Sequence, residues 1–168
     1  MSAAIFAASF AALYAGHMVG DHWIQTGWQA ANKGRHDHTG RLACAAHVAT
    51  YTATQAVFLA SVALAIDVHV ASPWLLVGLS VSAVTHYWAD RRFTLARLAG
   101  RLGKADFYRL GQPRKHKIGQ TADDFPDAPY ELKALDNPCL GTGAYALNQS
   151  FHIGWLFVAA LIIAGGAA

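Results

Sequence analysis

His17 and Asp21 stand four residues apart in the stretch Ala15-Gly16-His17-Met18-Val19-Gly20-Asp21-His22-Trp23-Ile24-Gln25, at the end of an apolar run. On a helix that spacing stacks an imidazole one turn from a carboxylate. Such a pair is a common way to hold a metal ion or to orient an imidazole. The spacing returns downstream. His86 and Asp90 repeat it, His47 has Tyr51 four residues on, and Asn148 has His152 four residues on, with Gln149 beside them. One such pair alone reads as a helix end reaching water. Its recurrence on four helices points instead to a shared site.

The elements that must position these groups are long and apolar. Of the 168 residues 54% are hydrophobic and 14% charged, against about 25% charged in a soluble domain. Residues 3–20 and 42–66 contain no Lys, Arg, Asp or Glu. Spans at 3–25, 42–66, 73–92 and 143–165 are each predicted as helices able to cross ~30 Å of hydrocarbon. The first span lacks the positive leading segment of a signal peptide. Ser72-Pro73 sets a helix start, with proline in the first turn. That helix is expected to run on through Arg91, Arg92 and Arg97 to near Leu102. Residues 103–140 carry four of the five prolines and read as an ordered extramembrane connection, with a short helix near Tyr130–Leu135. The expected fold class is all-α: a four-helix transmembrane bundle forming a single domain over 1–168, with a larger cytoplasmic connection between helices three and four.

All thirteen Lys and Arg residues fall on one side of that bundle. Lys33, Arg35 and Arg41 lie in the first connection; the other ten lie between Arg91 and Lys133. The positive-inside rule then places connections one and three in the cytoplasm and both termini outside, in the plasma (cell inner) membrane. Trp23, Trp28, Trp74 and Trp88 suit interfacial anchoring. The basic run Arg114-Lys115-His116-Lys117 is read as a contact for anionic lipid, not nucleic acid. Membrane lipids are the expected partners, and the 103–140 connection could take a protein partner. Cys44 and Cys139 form no disulfide framework; Cys44 reads as a small buried hydrophobe. His22, His36, His38 and His69 read as loop or interfacial residues.

Alternating helix directions put His17, His47, His86 and His152 at similar depth, in the cytoplasmic third of the membrane. Ionisable groups there cost roughly 2.5–3.5 kcal/mol each on insertion scales and are functional candidates by default. His17, Asp21, His47, His86, Asp90 and His152 are the expected metal ligands. Imidazole and carboxylate suit a divalent ion, zinc first, with manganese, iron or nickel as alternatives. Asp21 or Asp90 could act as general base, the catalytic role. Gln25, Asn148 and Gln149 suit hydrogen bonds that hold imidazole tautomers.

Gly16-His17-x-x-Gly20-Asp21-x-x-x-Gln25, Ala46-His47, His86-x-x-x-Asp90 and Asn148-Gln149-x-x-His152 together resemble a family of small bacterial integral membrane proteins known only as a domain of unknown function. The resemblance covers the four spans. His22 stands where the family pattern has an aromatic residue, and Asn148 where it has Asp. The family name implies no activity. A looser similarity, of pattern and hydropathy, is to membrane-bound metal-dependent hydrolases. Three functions fit: a metal-dependent hydrolase acting on a lipid or amphiphile at the cytoplasmic leaflet, a metal-ion or proton transporter, and a non-catalytic interaction protein whose polar core is structural. The outer halves of the spans offer only Ser, Thr and Gln (Thr52, Thr54, Gln55, Ser61, Ser80, Ser82), which argues against a transmembrane relay.

Overall fold

The computed structural model describes residues 3–65, 71–112, 114–117, 130–133 and 142–166. His69, Cys139 and most of the connection beyond residue 117 lie outside the described residues. The described chain is predominantly helical. Its elements are α1 (Ala3–Val19), a π-helical turn (Gly20–Ile24), α2 (Gly27–Asn32), α3 (His38–Ala65), α4 (Ser72–Asp90), α5 (Phe93–Arg101), α6 (Ala105–Arg109), β1 (Arg114–Lys117), β2 (Tyr130–Lys133) and α7 (Gly143–Gly165). They fall into two compact units, Met1–Leu95 with Ser150–Ala168, and Ala96–Gln149.

Three helical stretches are long and apolar enough to cross a membrane: Ala3–Ile24, His38–Ala65 and Gly143–Gly165. Helix α4 has 19 residues, about 28 Å of rise. Its last turns, Thr85-His86-Tyr87-Trp88-Ala89-Asp90, dilute its apolar character. The first unit exposes large apolar side chains and buries polar ones. Leu64 is 86% exposed, and Val57, Leu76, Val84 and Phe157 are exposed with it. His17, His47, His86 and Gln55 are fully buried. That distribution suits hydrocarbon as the surrounding medium.

The apolar core of this unit gathers Leu13 from α1 with Leu156, Ala159, Ala160 and Ile163 from α7, flanked by Phe6, Phe10, Leu59, Leu75 and Leu79. Phe6 meets Phe157 edge to face at 5.2 Å. Helices α1 and α3 approach closely because Gly16 and Gly20 present no side chain. A Cβ on Gly16 would come within 2.9 Å of the Gln55 Cα, and one on Gly20 within 3.2 Å of the Tyr51 ring. This is the small-residue packing that brings membrane helices together.

Two local features of the first unit depart from the sequence expectations. The polar stretch 27–40 contains α2, closed by a capping box in which Gln29 N donates to Thr26 Oγ1 at 3.2 Å and Thr26 N donates to Gln29 Oε1 at 2.8 Å. The Thr-x-x-Gln spacing is a recognisable start signal for it. The expected continuous helix from 73 to near 102 is broken after Asp90. Arg92 takes a left-handed φ of 56°, which is uncommon for a side-chain-bearing residue. The two arginines at the break tie it to the first connection: Arg91 Nη2 donates to the Arg35 carbonyl, and Arg92 Nη2 donates to the Ala30 carbonyl at 2.9 Å.

Asp37 anchors the start of α3. Its Oδ1 accepts from Gly40 N at 2.9 Å while Oδ2 pairs with Arg35 at 2.6 Å. The Arg35 guanidinium, hydrogen-bonded to it, holds the Asp37 carboxyl below the usual carboxylate range. In the second unit, the short helix expected near Tyr130–Leu135 is corrected. Tyr130–Lys133 is a strand, paired antiparallel with Arg114–Lys117 in the register Arg114↔Lys133 to Lys117↔Tyr130. Tyr-Glu-Leu-Lys alternates with period two, which suits a strand, and pairing with Arg114–Lys117 supplies its backbone hydrogen bonds.

Candidate metal centre

His17 is carried by the last turn of α1, Asp21 by the π turn, His47 by α3, His86 and Asp90 by α4, and His152 by α7. All six converge in the first unit. Four atoms form the centre. His47 Nε2 and His86 Nε2 are 3.0 Å apart. Asp21 Oδ1 is 3.2 Å from the first and 3.3 Å from the second. Asp90 Oδ2 is 3.2 Å from the first and 3.1 Å from the second. His17 and His152 flank this centre. His17 Nδ1 lies 3.7 Å from Asp21 Oδ2, and His152 Nε2 lies 3.6 Å from Asp90 Oδ1. The ligand-bearing atoms of His17, Asp21 and His86, and of His47, His86 and Asp90, lie within 4.8 Å of one another.

Protons alone satisfy this arrangement poorly. Each Nε2 carries at most one hydrogen, and each faces three polar atoms within 3.3 Å. Asp21 Oδ1 and His152 Nε2 are buried with no aligned hydrogen-bond partner among the described residues. A cation among these atoms would meet both imidazoles and a carboxylate in place of the missing protons. A tetrahedral ion with bonds of about 2.0 Å spaces its ligand atoms about 3.3 Å apart, close to the observed contacts. The residues present therefore fit a divalent ion of the zinc class.

Ring packing orients the imidazoles. His86 is sandwiched between Tyr51 at 3.8 Å and His152 at 4.1 Å, with interplanar angles of 30° and 20°. His47 Nδ1 and His86 Nδ1 are buried without hydrogen-bond partners. Gln25, expected to hold a tautomer, has a buried Nε2 that likewise makes no hydrogen bond. Asn148 and Gln149 belong to the second unit, where Gln149 Nε2 approaches Asn148 Oδ1 at 3.5 Å. Cys44 is buried, with its thiol directed at the Tyr87 carbonyl at 3.6 Å.

The sequence reading did not place Lys33 in the site. There it stands only among the basic residues of the first connection. Lys33 follows α2 at its C-cap and is buried, and its Nζ donates to Asp90 Oδ2 at 2.7 Å. The partners are 57 residues apart, so no local spacing reveals them. A closed polar ring also lies beside the centre. Gln55 Nε2 donates to Tyr51 Oη at 2.8 Å, Ser82 Oγ donates to Gln55 Oε1 at 2.8 Å, and Tyr51 closes the ring onto Ser82 at 3.1 Å. Gln55 Nε2 also reaches the Leu13 carbonyl at 3.2 Å. Every member is both donor and acceptor, so the ring is satisfied in low dielectric.

No protein family, curated protein or solved structure matches the chain.

Proposed function

We propose that this chain is a multi-pass membrane protein of the plasma membrane with a divalent-metal centre near the cytoplasmic face, and that the centre hydrolyses a lipid or another amphiphile. The observation that carries this reading is the approach of His47 Nε2 to His86 Nε2 at 3.0 Å, with Asp21 Oδ1 and Asp90 Oδ2 each 3.1–3.3 Å from both nitrogens. Helix α4 acts as the fourth span, and both termini face outward. A bound metal would supply Lewis acidity toward a scissile carbonyl or phosphoryl group and toward water. His47 and His86 would hold it, with Asp21 and Asp90 as the carboxylates beside them. His17, beside Asp21 Oδ2, orients that carboxylate. His152 Nε2, buried and unbonded, is placed to accept or return a proton. The resemblance to the uncharacterised bacterial family and to metal-dependent membrane hydrolases is compatible with this reading.

One observation favours a second reading. The Lys33–Asp90 ion pair already neutralises one carboxylate, as a structural polar core would. A relay across the membrane is less well supported. Outward of the Tyr51–Gln55–Ser82 ring lies a cavity of about 350 Å³ lined by Ala8, Ser9, Ala56, Leu59, Ala60 and Leu79 among others. Ser9 is the only polar side chain in that lining.

The test is elemental analysis of protein purified in detergent without chelators. About one zinc, manganese, iron or nickel ion per chain is expected, lost in His86→Ala and His47→Ala with the helical content retained. Metal-free protein that cannot be loaded with any of the four would end the metal and hydrolase readings together.

A further inference from the structure

We propose that the cavity beyond the Tyr51–Gln55–Ser82 ring binds the distal part of one acyl chain of a membrane phospholipid, as a resident ligand and not as substrate. This rests on the membrane placement above and not on the metal centre. The cavity measures about 350 Å³ and is lined from four helices, by Ala8 of α1, Ala56 and Ala60 of α3, Leu75 and Leu79 of α4 and Ile163 of α7 among others. Small side chains make the space. Ala56, Ala60 and Ala63 all line it, and their spacing puts them on one face of α3. The packed core holds the wall. Ile163 belongs to the buried apolar cluster, and Leu59, Leu75 and Leu79 pack against that cluster. Gly78 lets Ile163 approach α4, since a Cβ there would come within 2.5 Å of Ile163 Cγ1.

The wall chemistry selects the occupant. An empty apolar void is destabilising in proportion to its volume, because its lining atoms lose contacts. Water is a poor filler, since a buried water needs two to four polar partners and Ser9 is the only polar side chain in the lining. An apolar cavity of about 150 Å³ takes up benzene, so 350 Å³ scales to roughly a dozen carbon atoms. The cavity is partly open, and the surface of this unit exposes Val57, Leu64 and Leu76, as a hydrocarbon surround requires. Acyl chains are the apolar ligand that such a surround supplies in excess. No Lys, Arg or His lines the cavity, so a phosphate headgroup finds no partner inside and only the chain enters.

The floor of the cavity separates it from the His/Asp centre. Gln55, next to Ala56, is fully buried and bonded to Tyr51, Ser82 and the Leu13 carbonyl. Gly16 packs on its backbone. His47 lies two turns further along α3, about 12 Å of rise from Gln55. A chain in the cavity therefore does not reach the centre.

The experiment places the full chain in phosphatidylcholine vesicles that contain a small fraction of a photoreactive phosphatidylcholine. One probe carries a diazirine at the methyl end of an acyl chain; the other carries it in the headgroup. After irradiation, adducts are mapped by mass spectrometry. The chain probe is expected to label Leu79 and Ala60 in the cavity as well as the exposed Leu64 and Leu76, and the headgroup probe to leave the cavity residues unlabelled. Ala56→Leu and Ala60→Phe each fill the space, and should lose the adducts on Leu79 while keeping those on Leu64 and Leu76. If one of them loses its helical content, the other makes the comparison. Adducts confined to Leu64 and Leu76, or adducts on Leu79 undiminished in the folded filled variants, would overturn the inference and leave the membrane placement intact. Labelling of the cavity by the headgroup probe would overturn entry by the chain alone. A chain labelled at none of these residues would sink the membrane placement itself.

Discussion

Asp90 gathers four partners: Lys33, His47 and His86 through Oδ2, and His152 through Oδ1. Its substitution therefore has two separable consequences. Asp90→Asn removes a carboxylate from the proposed metal centre and also strands the Lys33 ammonium in the interior. Breaking a buried ion pair on one side costs about 3–5 kcal/mol, while replacing both partners is often close to neutral. The double variant Asp90→Asn with Lys33→Met should thus recover most of the thermal stability lost by Asp90→Asn alone, yet recover none of the metal. Parallel melting curves and metal content of the two variants and the parent check this. A double variant no more stable than Asp90→Asn would show that the pair does not hold the fold. Tyr51 poses the converse case. Tyr51→Phe keeps the ring stacked on His86 but opens the polar ring at Gln55 and Ser82, and should cost about 1–3 kcal/mol without loss of metal.

At the scale of elements, α1 and α3 are set by glycine and α2 by its cap. Gly16→Ala would drive a methyl group against the Gln55 backbone, which has no side-chain freedom to yield. A loss of about 1–3 kcal/mol is expected, together with displacement of His17 and Asp21 and weaker metal binding. Gly27 is the control. Open space surrounds its would-be Cβ, so Gly27→Ala should leave stability and metal binding within about 1 kcal/mol of the parent. Thr26→Ala opens the α2 capping box and should cost about 1 kcal/mol. Because α2 leads directly to Lys33, that variant should also alter zinc affinity, which a purely local cap would not. Equilibrium unfolding and zinc titration of the three variants separate these outcomes.

For the molecule as a whole, the prediction is topological. The one-sided distribution of Lys and Arg predicts that the stretch around Lys117 is cytoplasmic and both chain ends are outside. In a variant with Cys139 replaced by serine, a cysteine introduced at Lys117 should be shielded from an impermeant thiol reagent in intact cells and should react after permeabilisation. A cysteine introduced at Ser2 should show the opposite pattern. Labelling of Lys117→Cys from outside would overturn the orientation and, with it, the cytoplasmic placement of the metal centre.

What could be read from the sequence alone is what short-range chemistry fixes. Helix α7 runs Gly143–Gly165 as the hydropathy predicts, and α1 with its π turn ends at Ile24 against an expected 25. In both cases a long, predominantly apolar run must satisfy its own backbone wherever it is buried. The convergence of six His and Asp side chains was legible too, because the i, i+4 pairs and helix alternation place them by geometry alone. Tertiary structure decided the rest. Lys33 looks like any connection lysine until α2 folds it back 57 residues along the chain onto Asp90. The Arg91–Arg92 break depends on backbone carbonyls of Arg35 and Ala30, which no pattern near Asp90 encodes. The Tyr51–Gln55–Ser82 ring joins two helices through groups that hydropathy counts as merely polar. In each case the partner is distant in sequence, and a hydrogen bond or ion pair between distant residues leaves no periodicity to read.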